Sequence, residues 1–392
     1  FDPIKKDISV NVLRIMFPYL ALISLVSFAA GIQNTHNKFS IPAFTPIIFN
    51  LSLIIAAIFI APMYEMPIYV LAWGVLLAGI FQLLLQLIPL RQINRLPIPK
   101  LNINNEGVNQ FFKLILPAIL AGGVIQINLL VDTIFASLLE TGSPTWLYVS
   151  DRLIQFPMGI FAIAVGTILL PTLSKFDLSY EKEKFISSIQ KGQRFVLFIG
   201  IPSLIGLFFC AEDLISTIFY RGAFTESDVI NSSYSLMAFS IGLPFFMLMK
   251  VLTPAFFARK DTKTPMYVAF ASLILNALLN YYLAFVLDYG HVGIAIGSSI
   301  AAIISVCVLE IVLHRNGFIE FKSIFNKFNL NILVSNLFLI IFLYFYTSQI
   351  DFMKLNQIER FFNLLFEVTA SVIIYFSISR LILKKPLRLL FD

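Results

Sequence analysis

The chain has 392 residues, 58% of them apolar and only 13% charged, and its mean hydropathy is +0.87. That balance excludes an ordinary soluble domain, and the formal charge of +6 with a pI of 9.2, which would suggest nucleic acid in a soluble protein, here has to be read from where the charges lie along a membrane chain.

Apolar runs of roughly 20 residues, the length that crosses a bilayer, recur from end to end. About eleven are predicted, over 11–31, 43–62, 67–90, 112–139, 147–172, 195–219, 233–257, 266–287, 292–313, 328–347 and 361–383. They are too long and continuous for barrel strands, and helices satisfy their own backbone groups in lipid, so the expected fold is an all-α polytopic membrane protein. Assigning the loops alternately to two sides puts most Lys and Arg on one of them. The other side receives only Lys5, Lys6, Arg221, Lys354 and Arg360. The basic side reads as cytoplasmic, which places the C-terminus inside and residue 1 outside. An outside start with no signal peptide before it leads to the expectation of upstream sequence carrying an odd number of spans.

Two stretches resemble each other, "FAAGIQNTHNKFSIPAFTPIIFNLSL" at 28–53 and "PAFFARKDTKTPMYVAFASLILNALL" at 254–279. Each gives a helix end, a polar loop, a proline early in the next helix and an asparagine within it. Aligning Pro42 with Pro265 leaves Asn50 and Asn276 three residues out of step. Transporters are often built from two repeated bundles. On that plan 1–90 is the remainder of a first lobe with three helices, 91–110 a cytoplasmic linker, 111–313 a second lobe of six helices, and 314–392 a helix pair with a cytoplasmic tail. The charged stretch 174–195 reads as a linker or a short interfacial helix carrying Phe176, Phe185, Ile186 and Ile189. Cys210 and Cys307 fall inside predicted spans and read as packing residues, with no disulfide framework.

Catalytic motifs are lacking. The three histidines, His36, His291 and His314, are scattered, and no phosphate-binding loop, nucleophile elbow or metal-spaced cluster occurs. An enzyme is therefore the weaker expectation, and no covalent cofactor is expected. Polar residues within the spans are better ordered. Arg152, Gln155, Gly159, Ala162 and Gly166 fall on one arc of the fifth helix, a stripe that suits a cavity wall or a tight helix contact. Arg152 beside Asp151 reads either as an anion-binding cation facing water or as an anchor that pairs locally or snorkels. Asn128 and Asp132 share a face of the fourth helix, Asn276 and Asn280 repeat the spacing in the eighth, and Ile294 and Ser298 stack in the ninth. These hard oxygen groups could hold Na⁺ or a proton, or serve as interhelical hydrogen-bond glue. Lys250, Glu310 and Glu367 read as side chains that snorkel.

The stretches "FPYLALISLVSFAAGIQNTHNKFSIPAFTPIIFN", "DTIFASLLETGSPTWLYVSDRLIQFPMGIFAIAVGTILLPTLSK" and "KVLTPAFFARKDTKTP" resemble the MurJ (MviN) family of lipid II flippases, within the superfamily that includes MATE exporters. The resemblance implies a two-lobed MATE-like bundle of which this chain carries spans four to fourteen, lacking the first three, plus the C-terminal helix pair. It implies translocation of lipid II, the undecaprenyl-pyrophosphate-linked precursor of peptidoglycan, by alternating access across the bacterial inner membrane. Contacts to membrane lipids and to cell-wall synthesis machinery are implied with it. The arginine of the family's "DRL" motif, which helps bind pyrophosphate, is Arg152, flanked by Asp151 and Gln155. The family's other cavity arginines belong to its first helices. Its sodium site falls on Asp132, Asn276, Asn280, Ile294 and Ser298, with the amide Asn280 at a position that can be an acid in the family. The last two helices would receive the polyprenyl tail. Another exporter of the superfamily, for drugs or polysaccharide lipids, and a non-transporting cell-wall scaffold are the competing expectations.

Overall fold

A computed structural model describes residues 3–36, 38, 40–93, 123, 126–177, 179–319 and 327–383, and among these every regular element is helical. Among the described residues nine helices are long and apolar enough to cross a membrane, three of them continued through a wide π-helical turn, at Ala56–Ile60, Met158–Ala162 and Tyr282–Val286. The chain is a multi-pass membrane protein. Of the remaining predicted spans, 328–347 corresponds to a helix whose apolar part is shorter, Ile332–Thr347. The span 112–139 lies partly outside the described residues, as does most of the linker 91–110.

The chain divides into two compact units, 1–109 and 110–392. In the first, α1 (Pro3–Met16) and α2 (Pro18–Thr35) meet at Phe17, where Pro18 opens the second helix. They are followed by α3 (Ser40–Ile55) and α4 (Pro67–Gln92). The central element is α4, which packs against the other three. Its inner face is built from small residues, Ala72, Gly74, Ala78 and Gly79, followed by Gln82, Gln86 and Leu90. Small side chains let helix backbones approach closely where hydrophobicity supplies no drive between helices.

The second unit contains a helix at 126–137 (α5), α6 (Ser143–Pro157), α7 (Ile163–Ser174), α8 (Lys182–Phe209), α9 (Ala211–Phe219), α10 (Glu226–Ala258), α11 (Lys263–Tyr281), α12 (Gly290–Arg315), α13 (Lys327–Thr347) and α14 (Gln357–Leu383). Its centre is α10, packed against α6, α7, α8, α9 and α12. Leu236, Leu243, Met247, Val251 and Leu252 of α10 are fully enclosed. A capping box opens this helix: Asp228 N donates to Thr225 Oγ1 at 3.3 Å and Thr225 N to Asp228 Oδ2 at 2.8 Å. It ends in a Schellman motif, with Asp261 N on Phe256 O at 3.0 Å and Lys260 N on Phe257 O at 2.9 Å. Lys260 therefore holds φ at 60°, where the same motif after α12 uses Gly317 at 71°.

Three expectations are corrected. The stretch 174–195 is neither a linker nor an interfacial helix from Lys182 onward, because α8 starts there and runs into the span without a break. Phe185 and Ile189 are enclosed in the main core, with Phe185 edge-on to Phe318 at 5.4 Å, which gives the amphipathic pattern a protein partner instead of headgroups. The predicted span 195–219 is two helices, with Cys210 buried at the corner between α8 and α9, while Cys307 is exposed. Glu367 does not snorkel. It is fully buried, and Glu310 accepts a hydrogen bond from Gln193 Nε2 at 2.9 Å.

Candidate functional site

The second unit encloses a cavity of about 690 Å³ walled by α5, α6, α10 and α12. Its polar lining comes from Asn128, Asp132, Asp151, Gln155 and Ser298, and Tyr148, Phe239, Phe246 and Ile294 supply aromatic and apolar surface. Asp151, Gln155 and Gly159 follow one another at i, i+4 spacing and so share one wall, with α6 passing into a π-helical segment, Met158–Ala162, just below Gln155.

The stripe predicted on this helix is split by the structure. Gln155 and Gly159 line the cavity, but Ala162 is fully buried, and a Cβ at Gly166 would stand 2.9 Å from the Lys250 carbonyl oxygen. The helix's lower half is therefore a tight contact with α10, and only its upper half is a cavity wall. Arg152 is exposed and is not among the lining residues. Its guanidinium lies 4.7 Å from the centroid of Tyr148, whose ring does line the cavity. Asp151 and Arg152 do not pair: the ion pairs among the described residues are Lys184 with Glu181 and Lys354 with Asp351. Gln155 Nε2 donates to Asp151 Oδ2 instead, leaving the guanidinium's donors free of a carboxylate at the rim.

The second group of predicted residues is brought together. Asn128 Nδ2 donates to Asp132 Oδ2 at 3.2 Å, and Asn280 Nδ2 donates to Asp132 Oδ1 at 2.6 Å. Asn280 Nδ2 also reaches Asn276 Oδ1 at 3.0 Å, and Asn276 Nδ2 donates to Ser298 Oγ at 3.0 Å. One chain of side-chain bonds thus joins α5, α11 and α12. Asn276 and Asn280 are 3% and 0% exposed, and Ile294 is buried one turn before Ser298. Asn280 Oδ1 is buried with no donor. It packs against Gly297, where a Cβ would collide with it, so the glycine is what admits the amide to this position. Outside the spans, Asp261 accepts from Thr264 N at 3.0 Å and Thr264 Oγ1 at 2.7 Å. These bonds hold its carboxyl below the usual range and fix the loop that opens α11.

A further network, in the first unit, has no counterpart among the predicted sites. Gln33 Nε2 donates to Gln86 Oε1, Gln86 Nε2 to Thr45 Oγ1 at 2.7 Å, and Gln82 Nε2 to the Thr45 carbonyl at 3.1 Å. The signal was available: Gln82 and Gln86 repeat the i, i+4 spacing that singled out Asn276 and Asn280.

A family model described as lipid II flippase MurJ matches residues 1–366. The chain belongs to the MurJ family. It is 41% identical over 313 residues to a Vibrio cholerae protein described as a probable lipid II flippase MurJ, a match covering 80% of this chain and 59% of that one. A Haemophilus influenzae protein of the same description is 35% identical over 370 residues, covering 93% and 72% of the two chains. The Burkholderia cenocepacia lipid II flippase MurJ is 36% identical over 314 residues, covering 79% and 60%. A solved structure, lipid II flippase MurJ in an inward closed conformation, superposes with a TM-score of 0.75 at 28% identity over 95% of this chain and 73% of that one. The chain thus spans about three fifths of the Vibrio cholerae and Burkholderia cenocepacia relatives.

Proposed function

We propose that this MurJ family chain works as part of a lipid II flippase, a transporter and not an enzyme, which moves the lipid-linked peptidoglycan precursor across the bacterial inner membrane by alternating access. On this reading 1–90 is the remainder of the first lobe, 111–313 the second lobe, and 314–392 a helix pair for the polyprenyl tail with its end in the cytoplasm. The observation that carries the reading is the rim of the α6 wall. Arg152 is exposed there, unpaired with Asp151, and stacked on an aromatic ring that lines a cavity of about 690 Å³. A guanidinium placed over a tyrosine ring and free of a carboxylate keeps its donors for a bidentate anion, and a pyrophosphate is the anion that lipid II offers. Asp151 takes its hydrogen bond from Gln155, so its carboxylate does not occupy the Arg152 donors. The competing exporter and scaffold readings are not favoured, since the relatives described above share the flippase description.

The same reading assigns Asp132, Asn276, Asn280, Ile294 and Ser298 to a monovalent cation, Na⁺ in preference to a proton. The donor set fits it: every available side-chain ligand is a hard oxygen, one is a carboxylate, and the orphaned Asn280 Oδ1 lacks a partner that a cation would supply. When bound, the ion supplies positive charge that offsets Asp132 and biases whichever conformation binds it more tightly.

The test is complementation of a flippase-depleted bacterium by the protein expressed from its own gene. Arg152→Ala is expected to abolish growth rescue and Arg152→Lys to retain part of it, because a point charge replaces the planar fork. Full rescue by the alanine variant at equal protein level would remove the anion-binding role.

A further inference from the structure

Far along the sequence from the cavity residues, the second unit buries two acids with no cation beside them. Asp213 lies in the first turn of α9 and is 6% exposed, and Glu367, in the first half of α14, is 0% exposed. Their carboxyls face each other, and the Cys210 thiol at the α8–α9 corner faces Glu367. Both oxygens of Glu367 and Oδ2 of Asp213 are buried without any donor.

The surrounding charges do not repair this. Arg360 lies two turns before Glu367 on the same face of α14, yet its Nε donates to the Phe352 carbonyl at 2.7 Å and its Nη2 to the Met353 carbonyl at 3.0 Å. Its guanidinium carbon lies over the Tyr220 ring, 4.6 Å from the centroid. Lys354 is exposed and paired with Asp351 at 2.6 Å. The other titratable groups near the pair are Glu212 on α9, itself neighboured by Asp351 and by Glu226 at the start of α10, and Tyr346 on α13. The acids among them add negative charge, and the Tyr346 hydroxyl is given to Asn363.

Two carboxylates cannot face each other in a dry contact. As carboxylates both are acceptors only, so the contact becomes a bond when one of them carries a hydrogen. A metal ion suits the place less well. Two carboxyls make a thin shell for a hard cation, a thiol is a soft ligand, and no group of three or more His, Cys, Asp or Glu among the described residues could hold a metal.

We propose that Asp213 and Glu367 form a proton-binding site that fastens α14 to α9. One proton shared between the carboxyls forms a short charge-assisted hydrogen bond. Its release to solvent sets two carboxylates against each other and loosens the C-terminal helix. In the second half of the helix Tyr375 Oη donates to the Phe198 carbonyl at 2.7 Å, a clasp that involves no acid and stays closed, so the loosening is confined to the first half of α14, where the Arg360 and Asn363 bonds limit its extent. The site is independent of the substrate reading above. Burial and the facing Glu367 push Asp213, which lies outside the spans, up to about 9. An acid whose pKa is raised on docking binds its proton more tightly docked than undocked. Docking is then strongest at low pH, weakens as pH rises above the ordinary carboxylate range, and loses the contribution altogether above about 9.

The experiment is hydrogen exchange of the purified protein in detergent, corrected for intrinsic exchange rates and read on peptides from 357–370 between about pH 5 and pH 10, with melting curves in parallel. Protection is expected to fall by up to about tenfold per pH unit below about pH 9 and then level off. Asp213→Asn with Glu367→Gln should make it independent of pH. An infrared band from a protonated carboxylic acid, present in the wild type at neutral pH and missing from the double variant, reports the same proton. Should the variants fail to fold, the wild-type exchange profile and infrared band decide alone. Flat wild-type protection, a slope that survives in the double variant, or restoration at high pH by NaCl but not by choline chloride would each overturn the proposal, the last in favour of a sodium site.

Discussion

The two units each bury a network of polar side chains, built with the same spacing and put to different use. In the first, Gln33 of α2, Thr45 of α3 and Gln82 and Gln86 of α4 are all between 0% and 5% exposed, and none carries charge. In the second, Asn276 and Asn280 of α11 and Ser298 of α12 reach across to Asp132 on α5, and Asp132 and Ser298 line a cavity. An i, i+4 pair of amides on one helix ties its neighbours in either case. Orphaned amide oxygens occur in both, Gln33 Oε1 and Gln82 Oε1 in the first and Asn280 Oδ1 in the second, so it is the carboxylate and the open side that distinguish a candidate ion site from helix glue, because a buried carboxylate asks for positive charge.

The comparison is tested most severely by moving the charge. Gln86→Glu puts an unpaired carboxylate into the uncharged network of the first unit, where no cation is within the set. The expected loss is about 3 kcal/mol of stability, the insertion cost of an acid at the centre of a span, read as a lowered melting point and reduced membrane yield. A variant as stable as the wild type would show that the first network admits an ion or a proton. The reverse substitution, Asp132→Asn, keeps an acceptor for Asn280 and removes the charge. In the absence of Na⁺ its stability should stay within about 1 kcal/mol of the wild type. What it should lose is sodium-specific stabilisation, about 2.7 kcal/mol at a hundredfold excess over Kd, measured as the difference in melting between NaCl and choline chloride. Equal response in the two proteins would return Asp132 to the role of glue. Smaller again is Gln86→Leu, which deletes the bonds to Gln33 and Thr45. At an average of about 0.6 kcal/mol for each interhelical bond in a membrane, roughly 1 kcal/mol is expected, without sodium dependence.

The fold class was legible because a bilayer reduces the problem to the length of apolar runs, and hydropathy reads length well. Partners were less legible. The residues 182–194 are amphipathic enough for a headgroup surface, and only the presence of Phe318 and α10 explains why Phe185 and Ile189 are enclosed by protein. The Asp132 group was readable as three local patterns, Asn128 with Asp132, Asn276 with Asn280 and Ile294 with Ser298, since each helix contributes its residues one turn apart. Glu367 and Asp213 were not, because hydropathy gives the depth of an acid in a span and carries no record of a neighbour 154 residues earlier. Arg152 was found by its setting, an isolated cation beside an acid in an apolar run. Its stacking on Tyr148 was visible in hindsight as another i, i+4 pair.

The smallest effect tests whether the two units are equivalent position by position. Pro42 and Pro265 are each the third residue of their helices, α3 and α11, so the sequence repeat is real at the helix starts. The asparagines that follow are not equivalent. Asn276 is buried and bonded to Ser298 and Asn280, whereas Asn50 is exposed on the outer side of α3, and the first unit has moved its polar contacts to Thr45, one turn earlier, and to α4. The three-residue offset alone does not separate the two faces, since three residues leave a side chain within about 60° of where it started; what separates the asparagines is their surroundings, Asn276 enclosed beside α12 and Asn50 left exposed on α3. Asn276→Leu should cost about 1 kcal/mol for two lost bonds. Asn50→Leu should change stability by less than about 0.5 kcal/mol, as expected of an exposed position away from caps and networks. Melting curves of the two variants side by side decide it. A cost at Asn50 equal to that at Asn276 would mean that Asn50 has a partner, and that the two networks stand in register after all.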